Sequence, residues 1–237
     1  MSLEAARDRF AVALDGLYDT FGIYPFRADM PCCIPHCFDQ SEIDALGAKP
    51  LRSLESDDLA SFAFSLLLTC GEADDFKHFL PRLLELTATT GLGFVDPELS
   101  LGKLQRADWQ TWPALERVTV RRYLTAWWRL ELESGQDSLE DCFAALCCAD
   151  NPRVYLDIWR DSSVTQHAVS LAQFVTRNLT MLLLQKNFGT WVGHNSSRIV
   201  KNFLLEPATR ARLERAFFEC DDSDGCVMLS FAEQLLR

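Results

Sequence analysis

Between Ser56 and Leu86 two apolar stripes at helical spacing face each other across a short acidic turn. The first stripe is Leu59, Phe62, Ala63, Leu66, Leu67 and Cys70, and Gly71 is a natural helix stop. Ser56 reads as its N-cap, with Asp57 and Asp58 in the first turn where the helix dipole favours acids. After Glu72–Asp75 comes the second stripe, Phe76-Lys77-His78-Phe79-Leu80-Pro81-Arg82-Leu83-Leu84-Glu85-Leu86. Two amphipathic helices joined by so short a turn have to lie antiparallel. Pro81 lacks a backbone donor, so the second helix is expected either to kink or to begin there.

The rest of the chain repeats the helical period. Ala6, Phe10, Ala13, Leu14, Leu17 and Phe21 share one face of a first helix, and Gly22 closes it. A loop over 22–38 carries Pro25, Pro31 and Pro35, and a short helix follows at 41–46. Further helices are expected over 97–106, 112–133, from the capping-box-like Asp137-Ser138-Leu139-Glu140 onward, around Tyr155–Trp159, and over 163–186, 196–205, 207–219 and 226–236. No run of alternating strand patterns with hairpin turns is present. The expectation is an all-α fold of irregular antiparallel hairpins, an α-α superhelix or HEAT-like bundle. It forms a single domain over 1–237, with 1–108 and 109–237 as its natural lobes.

The Phe-Leu-Pro-Arg-Leu-Leu-Glu-Leu run resembles the second helix of a HEAT-type repeat, over a hairpin of about 35 residues. Together with the Cys/His-rich N-terminal loop, Asp74 to Leu86 also resembles a group of bacterial proteins. That resemblance implies a helical fold and carries no activity with it. Only one repeat unit is visible, whereas solenoids need about three.

Net charge is −11, and its distribution is uneven. The segments Ser53–Phe76, Leu130–Pro152 and Ala216–Leu236 hold no Lys or Arg and together carry −17, which leaves +6 for the remainder. Such a field repels nucleic acid and anionic lipid and attracts a basic protein partner. The candidate partner-binding acids are Glu72, Asp74, Asp75, Glu140, Asp141, Asp221, Asp222 and Asp224. The apolar stretches are too short to span a bilayer. The N-terminus runs directly into an amphipathic pattern without a leader, so a cytoplasmic protein is expected.

Pro31-Cys32-Cys33-Ile34-Pro35-His36-Cys37 is the most unusual stretch. Thiolates and an imidazole within six residues are zinc-ligand types, which makes Cys32, Cys33, His36 and Cys37 candidate ligands. A structural zinc site needs a second cluster, and neither Cys147-Cys148 nor Cys220 with Cys226 supplies the spacing. The competing reading is a rigid loop whose cysteines pack as small hydrophobes, as expected for Cys70, Cys142 and Cys147 in a reducing compartment. Cys220 to Gly225 has the wrong residues for a calcium loop, since its first and twelfth positions are Cys220 and Phe231.

His78 stands at a helix start, His167 in mid-helix with no sequence-adjacent partner, and His194 on a loop. No nucleophile elbow, phosphate loop, dinucleotide fingerprint or metalloprotease motif is present. Trp109, Trp112, Trp127 and Trp128 read as core. These features point to a non-enzymatic acidic binding protein, an inhibitor or immunity-type protein that neutralises a basic toxin or effector domain. The alternatives are a helical-repeat adaptor for an endogenous protein and a zinc- or thiol-dependent protein built on Cys32–Cys37. Only the last of these needs a cofactor.

Overall fold

A computed structural model describes residues 2–33, 38–135 and 138–237. Among these, twelve α-helices and no strand are found, so the fold is all-α. In chain order they are α1 (Leu3–Phe21), α2 (Gln40–Gly47), α3 (Ser56–Ser65), α4 (Ala73–Ala88), α5 (Pro97–Arg106) and α6 (Ala114–Ser134). There follow α7 (Leu139–Ala149), α8 (Pro152–Arg160), α9 (Thr165–Leu183), α10 (His194–Leu204), α11 (Pro207–Glu219) and α12 (Ser223–Leu235). The chain divides into two compact units: Glu4–Trp127, and Trp128–Arg237 with the residues before Glu4. The division falls inside α6, later than the 108/109 boundary expected from the sequence. Trp109 and Trp112 belong to the first unit, where Phe21 and Phe76 both meet the Trp112 ring.

In the first unit α3 and α4 pair in an antiparallel sense. Arg82 on α4 donates to the Leu54 carbonyl just before α3 (2.7 Å), and Phe79 meets Phe62 in mid-helix (centroids 4.7 Å). The N-cap of α3 is Glu55, one residue earlier than Ser56, because Asp58 reaches back to accept from the Glu55 amide. The helix also stops earlier than its apolar stripe, at Ser65. Tertiary bonds end it there. Lys103 from α5 donates to the Phe64 and Leu66 carbonyls, Arg106 donates to the Leu67 carbonyl, and Leu67 itself turns left-handed (φ 63°). Burial lowers the Lys103 ammonium to a pKa of about 8, with Arg106 adding to the effect. The following helix starts at Ala73, and Pro81 lies inside it, buried, so the expected start at Pro81 is not what the chain does.

The second unit is built around an aromatic cluster. Trp128, Phe143, Trp159 and Phe174 are buried, with neighbouring ring centroids 5.2 to 5.7 Å apart. Both indole N–H groups are satisfied, Trp128 by the Tyr155 carbonyl and Trp159 by the His167 carbonyl. The apolar faces of α8, α10, α11 and α12 all pack on α9. His194 opens α10 instead of lying on a loop. The start of α7 at Asp137 lies outside the described residues, and Leu139 is its first helical residue.

No helix among the described residues is long and apolar enough to cross a membrane.

Candidate functional site

Two places in the second unit combine exposure with chemistry. The first is the α11–α12 pair. Asp222 caps α12 by accepting from the Gly225 amide (2.8 Å), which starts that helix three residues before the apolar pattern does. Gly225, Leu229 and Ala232 face inward. Val227, Phe231 and Leu235 recur every four residues on the opposite side and are exposed, Val227 at 69%. Phe217 and Phe218 at the end of α11 add two further exposed rings, Phe218 at 79%. Glu219, Asp221, Asp222 and Asp224 lie between these two sets and are exposed. By contrast, bonds from Arg237 and Arg210 lower the Glu233 carboxyl from its ordinary value. Large apolar side chains displayed beside exposed acids, of which Glu219 reaches Arg212 at 3.9 Å, make this face the candidate interaction surface.

The second place is a cavity of about 460 Å³ lined by α6, α8 and the start of α9, with Arg129, Glu133, Asp157, Asp161, Ser162 and His167 among its walls. His167 is buried, and its Nδ1 lies 2.8 Å from Ser162 Oγ. Its ring also bonds the Leu132 backbone, and Nε2 stands 4.0 Å from Glu133 Oε2. In the tautomer protonated on Nε2, Nδ1 accepts from the serine hydroxyl. Burial holds the imidazole below its ordinary value, with Arg212 acting in the same direction and Glu133 and Leu132 against it. Arg212 braces the turn by donating to the Ser162 and Val164 carbonyls (both 3.1 Å). The sequence pattern placed His167 in mid-helix without a partner. The Ser162 to His167 spacing across a helix start was the available signal, and Glu133 on another helix gave none.

The candidate acids are distributed over both units. Glu72, Asp74 and Asp75 stand at the start of α4, Glu140 and Asp141 in the first turn of α7, and Asp221, Asp222 and Asp224 at the start of α12. Each cluster thus coincides with a helix N-terminus, where the dipole stabilises acids whatever else they do. Asp75 is buried and accepts two bonds from Arg27 (2.8 and 2.7 Å) and one from the Glu72 amide. Arg27 reaches Glu72 as well (3.2 Å). Asp74 and Asp141 are exposed, and Glu140 accepts from Asn178 (2.8 Å) and pairs with Arg177.

The cysteine expectation needs correction. Cys32 and Cys70 form a disulfide, flanked by backbone bonds from Cys33 N to Thr69 O and from Gly71 N to Pro31 O. Cys70 is buried as expected, but as half of a disulfide, and Cys32 leaves the candidate ligand set because it is no longer a thiolate. In a reducing compartment this bond would open, so its state reports the compartment. Cys33 is exposed and takes no part in the disulfide, and His36 and Cys37 lie outside the described residues. Among the described residues no three His, Cys, Asp or Glu side chains gather as a metal site.

No family model, no curated protein and no solved structure matches the chain, and the residues themselves carry the functional argument.

Proposed function

We propose that this is a binding protein whose α11–α12 face takes a basic protein partner. The observation that carries the reading is the exposed stripe Val227, Phe231 and Leu235, with Phe217 and Phe218, bordered by acids in a segment without Lys or Arg. Apolar anchors of this size supply most of an interface's affinity, while rim charges set approach rate and partner choice. The complementary partner presents an apolar residue ringed by Lys and Arg. Covering a cationic cleft is a task that such a face suits, and it corresponds to an inhibitor or immunity-type protein that neutralises a basic toxin or effector domain.

A fluorescent Leu/Lys amphipathic helical peptide serves as the probe, with a Leu/Glu peptide of the same pattern as its control. Binding by anisotropy is expected only for the basic peptide, with a micromolar Kd that Phe231→Ser weakens by about tenfold. Equal binding of both peptides, or indifference to Phe231→Ser, overturns the reading.

A further inference from the structure

The cavity beside His167 is separate from the α11–α12 face, and the proposed binding role makes no use of it. We propose that it is a hydrolytic site in which Ser162 attacks a small ester carrying an anionic group, with His167 as base and Arg129 as partner of the anion. Ser162 Oγ accepts from the Val164 amide at 3.2 Å and lies 2.8 Å from His167 Nδ1. His167 Nε2 stands 4.0 Å from Glu133 Oε2, so nucleophile, base and a carboxylate line one cavity.

Charge selects the substrate class. Asp157 is paired with Arg153 and Arg160, and Asp161 with Arg160. Arg129 lines the same cavity and makes no ion pair among the described residues. A cavity of about 460 Å³ suits a short acyl chain with a terminal carboxylate or phosphate.

The chemistry balances with water as the only co-reactant. Ser162 Oγ bonds the acyl carbon while its proton passes to His167 Nδ1. The ester C–O bond breaks, and the leaving alkoxide takes that proton. Water then attacks the acyl-serine and gives its proton to Nδ1, and the acid departs as Ser162 recovers its hydrogen.

The test is labelling of the folded protein with a fluorophosphonate, with the adduct located by peptide mass mapping. The expected result is one adduct at Ser162, absent in Ser162→Ala and formed about 100-fold more slowly in His167→Gln at unchanged helix content. The charged groups bearing on His167 are Glu133 from α6 and Arg212 from α11, with Arg129, Asp157 and Asp161 also lining the cavity. Labelling should therefore rise through an inflection below pH 6.5 and be flat above it, and Glu133→Gln should move that inflection lower. Glu133→Asp should restore part of the wild-type profile. The p-nitrophenyl half-ester of succinate should be cleaved faster than p-nitrophenyl acetate, and Arg129→Met should abolish the preference. No adduct on the native protein, or an adduct that survives Ser162→Ala, overturns the site. Equal cleavage of both esters overturns the assignment of Arg129.

Discussion

The acidic turns at the starts of α4 and α12 look alike in sequence, and the fold uses them in opposite ways. At α4, Asp75 is buried under Arg27, and Glu72 shares the same guanidinium. At α12, Asp222 caps the helix, while Asp221 and Asp224 stand exposed beside Phe218, Val227 and Phe231. The first cluster ties a loop to a helix. The second is left exposed to solvent. A local excess of acid therefore says where helices begin, and the placement of one distant arginine decides whether the charge remains available.

The inward use of charge in the first unit goes deeper than Asp75. Lys77 pairs with Glu116 at 2.9 Å, both side chains being buried, and also donates to the Tyr24 hydroxyl. The ammonium lies 4.7 Å from the Tyr24 and Trp112 ring centres. Burial disfavours the ammonium, but its bonds to Tyr24 and Glu116 outweigh that and raise its pKa. Lys77→Met should accordingly have the largest effect, about 3 to 5 kcal/mol lost in urea unfolding, because Glu116 is left buried without a counter-ion. Adding Glu116→Gln should recover much of the loss. A Lys77→Met protein as stable as wild type would break the contrast between inward and outward charge.

Asp75→Ala removes three accepted hydrogen bonds and should cost about 2 kcal/mol. The same measurement on Asp222→Ala should show about 1 kcal/mol, the usual worth of an N-cap. This variant sharpens the comparison by separating the structural acid of the α12 cluster from its neighbours. Asp221→Asn with Asp224→Asn, or Phe231→Ser, should stay within about 0.5 kcal/mol of wild type, as exposed substitutions do.

His167 adds a pH dependence to the second unit. Its folded-state value is depressed, so below about pH 6.5 the unfolded chain takes up a proton that the folded chain refuses. Its contribution is complete above pH 6.5 and is lost as pH falls toward the folded value, with a slope of at most about 1.4 kcal/mol per pH unit. Urea unfolding between pH 7 and pH 5 should show this slope reduced in His167→Gln.

Where local chemistry decides, the sequence was legible. The span of α5 follows from Asp96, Pro97 and the basic residues of its last turn, and α11 begins at Pro207 as its pattern requires. Distant partners account for what was not. The α3 stripe continues to Cys70, yet Lys103 and Arg106 on α5 take the carbonyls at its end. Cys70 meets Cys32 across a separation of 38 residues, and Asp75 meets Arg27 across 48. In the cavity, Ser162 and His167 are separated by five residues, but Glu133 comes from another helix. Periodicity reports which face a helix buries and is silent on which polar group it meets.

The contrast between the two acidic turns is tested most directly by the salt-dependent binding of the Leu/Lys peptide to three proteins: wild type, Asp75→Asn, and Asp221→Asn/Asp224→Asn. Asp75→Asn should bind like wild type, whereas the double variant should bind about fivefold more weakly with a shallower salt dependence. Equal weakening by both variants, or no change in the double variant, contradicts it.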